Sequence, residues 1–249
     1  MVRTIEDEAI RDKVATSCRI MARECPGRSQ AGHVSVRGDD GQSILIKARG
    51  PEEEGLDFVR SRDIIRLDLN GAPLDAPPGL TPPAETAIHL AMYRANPDTG
   101  SVIHVHPRVV VALTAAKREL LPIYNAYDPA GLNLVENGIP VFPKSVLISN
   151  EELGNELAAA MGDKRVCVLN GHGIVTVGRD VEEATALAVN LTELAQINWM
   201  AYSIGDPVPI PDDDRERSAM GPGGRGPARR RSDGTTANWH WLRQRAAQV

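Results

Sequence analysis

Aromatic side chains are scarce in this sequence, at 4% of its 249 residues, so stacking surfaces for single-stranded nucleic acid are few. Basic charge is not in excess either. The formal net charge is −5 at pH 7, which argues against a general nucleic-acid binder. No apolar run approaches the roughly 20 residues that cross a bilayer. We therefore expect neither nucleic acid nor a membrane among the partners of this protein.

Cysteine is equally scarce in the sequence. Cys18, Cys25 and Cys167 are scattered and form no ligand motif, and an odd, scattered count suits a reducing compartment. The first fifteen residues are polar and acidic and lack the apolar segment of a secretory signal. Hydrophobic residues at 42% and charged residues at 24% give a globular balance. These features predict a soluble cytoplasmic protein.

The apolar pattern switches repeatedly between the helical period and strand alternation. It predicts helices over 4–24, 84–96, 109–116, 151–161 and 181–204, with Asn150 as an N-cap. It predicts strands over 33–37, 43–47, 64–69, 101–106, 165–169 and 173–177, and a turn into a strand over 135–141. Because helices and strands are interleaved without strict alternation, we predict an α/β fold with a mixed sheet and helices on its faces.

The composition changes after residue 205. Residues 205–234 are rich in Pro, Gly and Asp, carry six arginines from Arg215 to Arg231, and show no apolar period, which favours a flexible solvated tail. Trp239 and Trp241 follow, and two tryptophans are costly to leave in water. We therefore divide the chain into a folded unit over 1–205 and a tail over 206–249, whose end docks on its own domain or on a neighbouring subunit.

Three of the six histidines are candidates for a metal site. His104 and His106 are two residues apart on a predicted strand, so their side chains point to one face. His172 stands between two glycines, which let the backbone turn sharply. Three imidazoles from two strand ends would leave coordination positions open, which is typical of catalytic metals. The alternative is a set of ordinary polar side chains, and spacing alone leaves these two interpretations evenly matched.

Glu85 is the candidate carboxylate. It stands in the first turn of the helix predicted over 84–96, where an acid is favoured by the helix dipole. The functional interpretation places it near the metal, as a ligand or as a proton shuttle. His89 follows four residues later on the same helical face, and we interpret it as a core histidine or one that supports the ligands.

Three blocks of the sequence resemble the class II aldolase/adducin family. They are 83–98 with 100–106, then 168–178 with 182–184, and 31–37 near the N-terminus. The resemblance covers roughly residues 8–205, in the right order. It implies a three-layer α/β/α catalytic domain with a mixed central sheet, and a homotetramer with sites at subunit interfaces. It also implies metal ligation by His104, His106 and His172 and acid/base chemistry by Glu85.

The sequence departs from the sugar-phosphate aldolases of that family. They carry Asn where this chain has His33, and hydroxyl groups for a phosphate where it has Lys47, Arg49 and the pair 83–84. The pattern is more similar to the family's aromatic-acid decarboxylases, which act on 3,4-dihydroxyphthalate or on a hydroxypyridine dicarboxylate. A vicinal dicarboxylate suits two added cations, since the planar fork of arginine matches a carboxylate. The resemblance therefore implies a metal-dependent carboxy-lyase of aromatic catabolism.

The hypothesis assigns a role to each candidate. One divalent ion per subunit, Mn, Co, Fe or Zn, would chelate a ring hydroxyl and the adjacent carboxylate of an aromatic acid. Arg49, or failing that Arg37, would bind the second carboxylate, with Lys47 as a further cation. Glu85 or His33 would deliver the proton that replaces CO2.

Other candidates and functions stay open. Tyr124 and Tyr127 lie where aldolases of the family place a tyrosine that crosses the subunit interface, and the segment from Trp239 to Trp241 would cap a neighbour's pocket. A metal-dependent aldolase for a non-phosphorylated hydroxy-keto acid fits the same ligands. A three-histidine iron oxygenase is a minor alternative. A non-catalytic adducin-like module is disfavoured, because such members lose the metal ligands.

Overall fold

The computed structural model describes residues 4–28, 31–51, 54–123, 129–136, 138–219 and 235–247. The helices are α1 (Ile5–Glu24), α2 (Thr86–Ala95), α3 (Arg108–Ala115), α4 (Pro129–Glu136), α5 (Glu151–Met161), α6 (Val181–Ile204), α7 (Asp212–Ala219) and α8 (Thr235–Ala246). The strands are β1 (His33–Arg37), β2 (Ser43–Lys47), β3 (Ile64–Asp68), β4 (Pro73–Asp75), β5 (Ser101–Val105), β6 (Val141–Phe142), β7 (Val166–Leu169) and β8 (Gly173–Gly178).

One sheet organises these elements. Its eight strands run in the order β4-β3-β2-β1-β5-β8-β7-β6. The β6–β7 pair is parallel and the other neighbouring pairs are antiparallel, so the sheet is mixed. This confirms the predicted α/β class.

Helices cover both faces of the sheet because its strands alternate between two apolar clusters. On β5, Ile103 and Val105 belong to the cluster formed with α1, α3, α6 and α8, whereas Val102 belongs to the cluster formed with α2 and α5. We call these the α1 face and the α2 face. The period of two places His104 on the α2 face. The structure therefore has three layers, as expected, and no helix in its described part is long and apolar enough to cross a membrane.

Two site residues lie one step outside their predicted elements. Glu85 is the N-cap of α2 and not a residue of its first turn, with non-helical angles φ −104° and ψ 29°. His106 follows β5 instead of ending it, and the next residue, Pro107, has no N–H with which to continue the ladder. The N-cap predicted at Asn150 is confirmed, since its side chain accepts from the Leu153 N–H at 2.9 Å. Around 135–141, α4 ends at Glu136, and only Val141–Phe142 pairs as a strand.

The tail contains more regular structure than its composition indicates. α7 begins directly after Pro211 with three aspartates in its first turn, a position that favours acids. α8 packs on α1 and α6 of its own chain, with Trp239, Leu242 and Ala246 buried in the α1-face cluster. Trp241 is half exposed, at 49%. Trp239 is therefore not free to cap a neighbour's pocket, and residues 220–234 lie outside the described part.

We expect Leu242→Ala to destabilise the protein, because Leu242 is 1% exposed and its loss leaves a cavity under α8. The free energy of unfolding should fall by about 2 to 5 kcal/mol. Urea unfolding at fixed protein concentration measures it. Trp241→Ala is the control and should change stability by less than about 0.5 kcal/mol. Equal effects of the two variants would contradict the docking of α8.

Candidate metal centre and active site

Three strands meet where the histidines lie. In the β1–β5 ladder His33 is paired directly with His104, and their ring centroids are 5.3 Å apart. β5 also pairs with β8, and the turn before β8 carries His172 to the end of β5, where His106 follows. The glycine after His172 is required there, because a Cβ on Gly173 would lie 2.4 Å from the Val105 carbonyl oxygen. Sheet pairing therefore gathers histidines that are far apart in sequence.

Glu85, His104, His106 and His172 form a compact donor set. Each offers one ligand atom, and these atoms all lie within 4.8 Å of one another. The Glu85 carboxylate lies 3.4 Å from His104 Nε2 and 3.6 Å from His172 Nε2. The rings of His106 and His172 stack at 5.1 Å. The structure thus brings together the four residues that the sequence indicated as ligands or acid/base.

Each histidine of this set has a buried ring nitrogen that lacks a hydrogen-bond partner in the described chain. Nδ1 of His104 hydrogen-bonds the Ile174 carbonyl at 2.9 Å, so Nδ1 carries the proton and Nε2 does not. Within the described chain, His104 Nε2, His106 Nδ1 and His172 Nδ1 are buried without a hydrogen-bond partner. Buried polar atoms without a partner are rare and need an explanation. A divalent metal ion fits, since three imidazoles and a carboxylate are a common ligand set for one.

Glu85 supplies the negative charge of the centre. Burial would raise the pKa of its carboxyl group, but the nearby imidazoles of His104 and His172 and the Ile148 N–H at 2.9 Å outweigh burial, and the pKa lies well below its ordinary value. Its position as an N-cap that makes no capping bond leaves the carboxylate free to face the histidines. Glu85 is therefore anionic, which suits a metal ligand or a base better than an acid.

His33 and His89 lie beside the donor set and outside it. His33 Nδ1 and His89 Nε2 are 2.8 Å apart, and His89 Nδ1 lies 2.7 Å from Ser35 Oγ. Ser35 Oγ in turn lies 2.8 Å from the Tyr93 hydroxyl. Sequence reasoning singled out neither Ser35 nor Tyr93. The signal was present, because Ser35 stands two residues from His33 on a strand and Tyr93 four residues from His89 on a helix.

The structure does not bring Arg37 or Lys47 to this site, which corrects their assignment to substrate binding. The Arg37 guanidinium donates to the carbonyls of Thr99 and Tyr93 at 3.0 and 2.9 Å and lies over the Tyr93 ring, at the end of β1 away from His33. Lys47 follows Leu45 on the α1 face, where its charge acts on Cys18 of α1. Both side chains therefore interact with the protein's own framework and not with a substrate at the histidine cluster.

Arg49 lies at the same end of the sheet as His33, so its assignment to substrate binding stays a prediction. It follows β2 at the end that adjoins the beginning of β1, and it is exposed. Its backbone exchanges hydrogen bonds of 2.8 and 2.9 Å with Thr81, just before the loop that leads to Glu85. Tyr124 and Tyr127 lie outside the described residues.

Comparison with known proteins agrees with this geometry. Residues 12–199 match the family described as Class II Aldolase and Adducin N-terminal domain. The chain belongs to this family. Among solved members of the class II aldolase fold, the aldolase II superfamily protein from Pseudomonas syringae superposes with a TM-score of 0.81 at 25% identity, covering 99% of this chain and 95% of that one.

Two curated relatives are decarboxylases of the same aromatic acid. The 3,4-dihydroxyphthalate decarboxylase of Terrabacter sp. (strain DBF63) is 40% identical over 200 residues, which is 79% of this chain and 83% of that protein. The 3,4-dihydroxyphthalate decarboxylase of Arthrobacter keyseri is 36% identical over 208 residues, 82% of this chain and 84% of that one. The family match and these relatives confirm the resemblance that was inferred from the three sequence blocks.

We expect His172→Ala to weaken binding of Zn²⁺ by at least about 100-fold, because loss of an outer partner of a ligand alone costs roughly 10- to 100-fold. Titration of metal-free protein with Zn²⁺ measures the affinity. His240→Ala is the matched control, since His240 is exposed on α8 and should bind no ion. Unchanged zinc affinity in His172→Ala would exclude the proposed donor set.

Proposed function

We propose that this protein is a metal-dependent decarboxylase that converts 3,4-dihydroxyphthalate into 3,4-dihydroxybenzoate and CO2. One observation carries the proposal. A donor set of three histidines and a carboxylate lies against His33, in a chain 40% identical to a decarboxylase of that substrate.

The reaction makes clear demands on the site. The bond between ring carbon 2 and its carboxylate breaks, and the electron pair of that bond stays with the ring. One proton then adds to carbon 2, so that a carboxylate and a proton become CO2 and a C–H bond. The protein must hold the substrate dianion, stabilise the charge that develops in the ring, and place a proton donor beside carbon 2.

The metal is assigned to the four-residue donor set. His104, His106 and His172, with Glu85 as a fourth ligand or an adjacent base, would hold one divalent ion per subunit, either Mn, Co, Fe or Zn. A bound ion of this kind would act as a Lewis acid towards the ring hydroxyl and its neighbouring carboxylate.

His33 is the better proton donor of the two candidates. Its ring lies 5.3 Å from that of His104, so it is next to the place where a metal ion and its substrate would bind. Its Nδ1 is engaged by His89, which leaves Nε2 for the substrate. Glu85 is held anionic by its neighbours and is suited to accept a proton. Burial and the neighbouring histidines lower the pKa of His33 well below its ordinary value, so its ring is neutral and offers an N–H to the substrate.

Arg49 is assigned to the carboxylate that stays on the ring. It lies at the strand end next to His33, and its side chain is exposed to solvent. A guanidinium can bind a carboxylate through two parallel hydrogen bonds, which would orient the ring so that its carbon 2 faces His33.

We further propose a homotetramer with sites at subunit interfaces, to which Tyr124 and Tyr127 of a neighbour contribute. Exposed apolar side chains at the end of α6 support association, since Trp199 and Met200 are about half exposed and Ile204 is 92% exposed. The catalytic domain over 1–205 would carry the chemistry, and the tail over 206–249 would cover its α1 face. Three buried free cysteines are consistent with a cytoplasmic location.

The test uses the full chain, made metal-free and then loaded separately with Mn²⁺, Co²⁺, Fe²⁺ or Zn²⁺. With 3,4-dihydroxyphthalate we expect CO2 release and 3,4-dihydroxybenzoate in equal amounts, dependent on at least one ion. The metal-free protein is the control. No release with any ion, or cleavage of a hydroxy-keto acid instead, would overturn the proposal.

We expect His33→Asn to reduce the turnover of decarboxylation by about 10²- to 10⁴-fold, the usual contribution of a general acid. Metal content should be unchanged, because His33 lies outside the donor set. Turnover and metal content are measured on the same sample. His240→Asn, on the exposed face of α8, serves as the control. Retained turnover in His33→Asn would exclude His33 as the proton donor.

A further inference from the structure

Four side chains form a continuous hydrogen-bonded chain from the core to the site. Tyr93 OH, Ser35 Oγ, His89 and His33 follow one another at 2.8, 2.7 and 2.8 Å. All four residues are buried, and His89 and Ser35 have no exposed surface at all. Such a chain is isolated from water, so its own members decide where its protons sit.

A neutral imidazole has one donor nitrogen and one acceptor nitrogen, so the two bonds of His89 must run in the same direction along the chain. Burial lowers the pKa of His89 to about 3, which keeps its ring neutral. Because Ser35 has one proton and two lone pairs, three arrangements remain. Each group donates towards His33, or each group donates away from it, or Ser35 accepts from both Tyr93 and His89 and donates to the Val102 carbonyl at 3.5 Å.

Tyr93 excludes the arrangement in which each group donates away from His33. Its hydroxyl is buried, Ser35 Oγ lies 2.8 Å away, and the Val102 backbone group that also contacts it lowers the pKa of the phenol and so acts as a donor. If the bonds ran away from His33, Ser35 would donate to Tyr93 and the phenol proton would have no acceptor. Burying a hydroxyl proton without an acceptor costs free energy. The arrangement through Val102 is the weaker of the other two, because 3.5 Å is at the limit of a hydrogen bond whereas His89 Nδ1 lies 2.7 Å from Ser35 Oγ. The bonds therefore run from Tyr93 to Ser35, from Ser35 to His89 Nδ1, and from His89 Nε2 to His33 Nδ1.

We propose that Tyr93, Ser35 and His89 are positioning residues that fix His33 in the tautomer with its proton on Nε2, the nitrogen left free for substrate. Because His33 Nδ1 accepts from His89, a neutral His33 carries its proton on Nε2. That tautomer presents an N–H and not a lone pair to the substrate, and this catalytic consequence rests on the function proposed above for His33. The tautomer itself does not depend on that function.

The chain orients His33 and does not supply the proton. Passing a proton along all four groups would leave a phenolate at Tyr93, and burial raises the pKa of Tyr93 above its ordinary value. A neutral His33 that gives its Nε2 proton to carbon 2 is left as an imidazolate, so solvent or a substrate group must return one proton to Nε2 and is the net proton donor. The three supporting residues stay unchanged through the cycle.

The first readout is the tautomer of His33. Nitrogen-15 NMR of histidine-labelled, zinc-loaded protein distinguishes protonated from unprotonated ring nitrogens, and the His33→Asn spectrum identifies the His33 signals. We expect a protonated Nε2 and an unprotonated Nδ1 in the wild type. In His89→Leu, which removes the donor to Nδ1, both tautomers should appear. A wild-type His33 protonated on Nδ1 would overturn the proposal, whatever the activity.

The second readout is kinetic. Tyr93→Phe removes one hydroxyl and should lower kcat about threefold to tenfold, the equivalent of one ordinary hydrogen bond, with KM and zinc content unchanged. His89→Leu should lower kcat at least about tenfold, because a histidine in the wrong tautomer can lose up to about 10⁴-fold. His89→Gln keeps a donor and an acceptor and should restore most of the activity.

Tyr202→Phe is the matched control. Tyr202 also bonds through its hydroxyl, to the Glu119 carbonyl at 3.1 Å, and also lies under an arginine, Arg118 at 5.0 Å, but it stands on α6. It should leave kcat unchanged. If Tyr93→Phe behaves like Tyr202→Phe while the wild type is active, the positioning role is wrong. If the wild type releases no CO2, the proposed function fails, and the NMR result still decides the tautomer.

Discussion

The antiparallel ladder between β1 and β5 is the constraint on which the site depends. It pairs His33 with His104, and so sets the distance between the assigned proton donor and the assigned metal ligands. Because side chains alternate along a strand, a slip of one residue would turn His33 to the α1 face while His104 stayed on the α2 face. The apolar core opposes that slip. Val34 and Ile103 are partners in the same ladder and are both fully buried on the α1 face. Packing on one face of the sheet therefore determines the chemistry on the other.

The electrostatics of the donor set favour a cation at its centre. Glu85 is a buried carboxylate that its neighbours keep ionised, and a buried charge is expensive unless an opposite charge accompanies it. Protonated histidines are a poor source of that charge, because burial and the nearby His104 and His172 lower the pKa of His106 to about 3. A divalent ion would neutralise the carboxylate and would give the unpartnered ring nitrogens of the histidines a partner. The same ion would match the dianionic aromatic substrate proposed for the site.

Local sequence patterns predicted most of the fold and the donor set. They failed where tertiary contacts determine an element boundary, the face of a side chain or the docking of a helix. Alternation located the strands, and the boundaries predicted for α6 are those observed. Glu85 and His106 were each predicted inside an element, and each lies one residue outside it. Nearby prolines and side-chain partners that are distant in sequence set those boundaries. Arg37 and Lys47 were assigned from charge alone. Arg37 stands four residues from His33, or about 13 Å along a strand, and the face of Lys47 follows from its neighbours in the sheet. The docking of α8 depends on a groove between α1 and α6 that the tail sequence does not encode.

The positioning chain shows how two simple periods can build a site together. Alternate residues on a strand are about 6.6 Å apart, and residues four apart on a helix rise by about 6 Å. A strand pair and a helix pair with these spacings can therefore interdigitate. His33 and Ser35 on β1 and His89 and Tyr93 on α2 do so, in the order helix, strand, helix, strand from Tyr93 to His33. A phenol in the core thereby controls a tautomer three side chains away, through hydrogen bonds that the packing of α2 on the sheet holds in place.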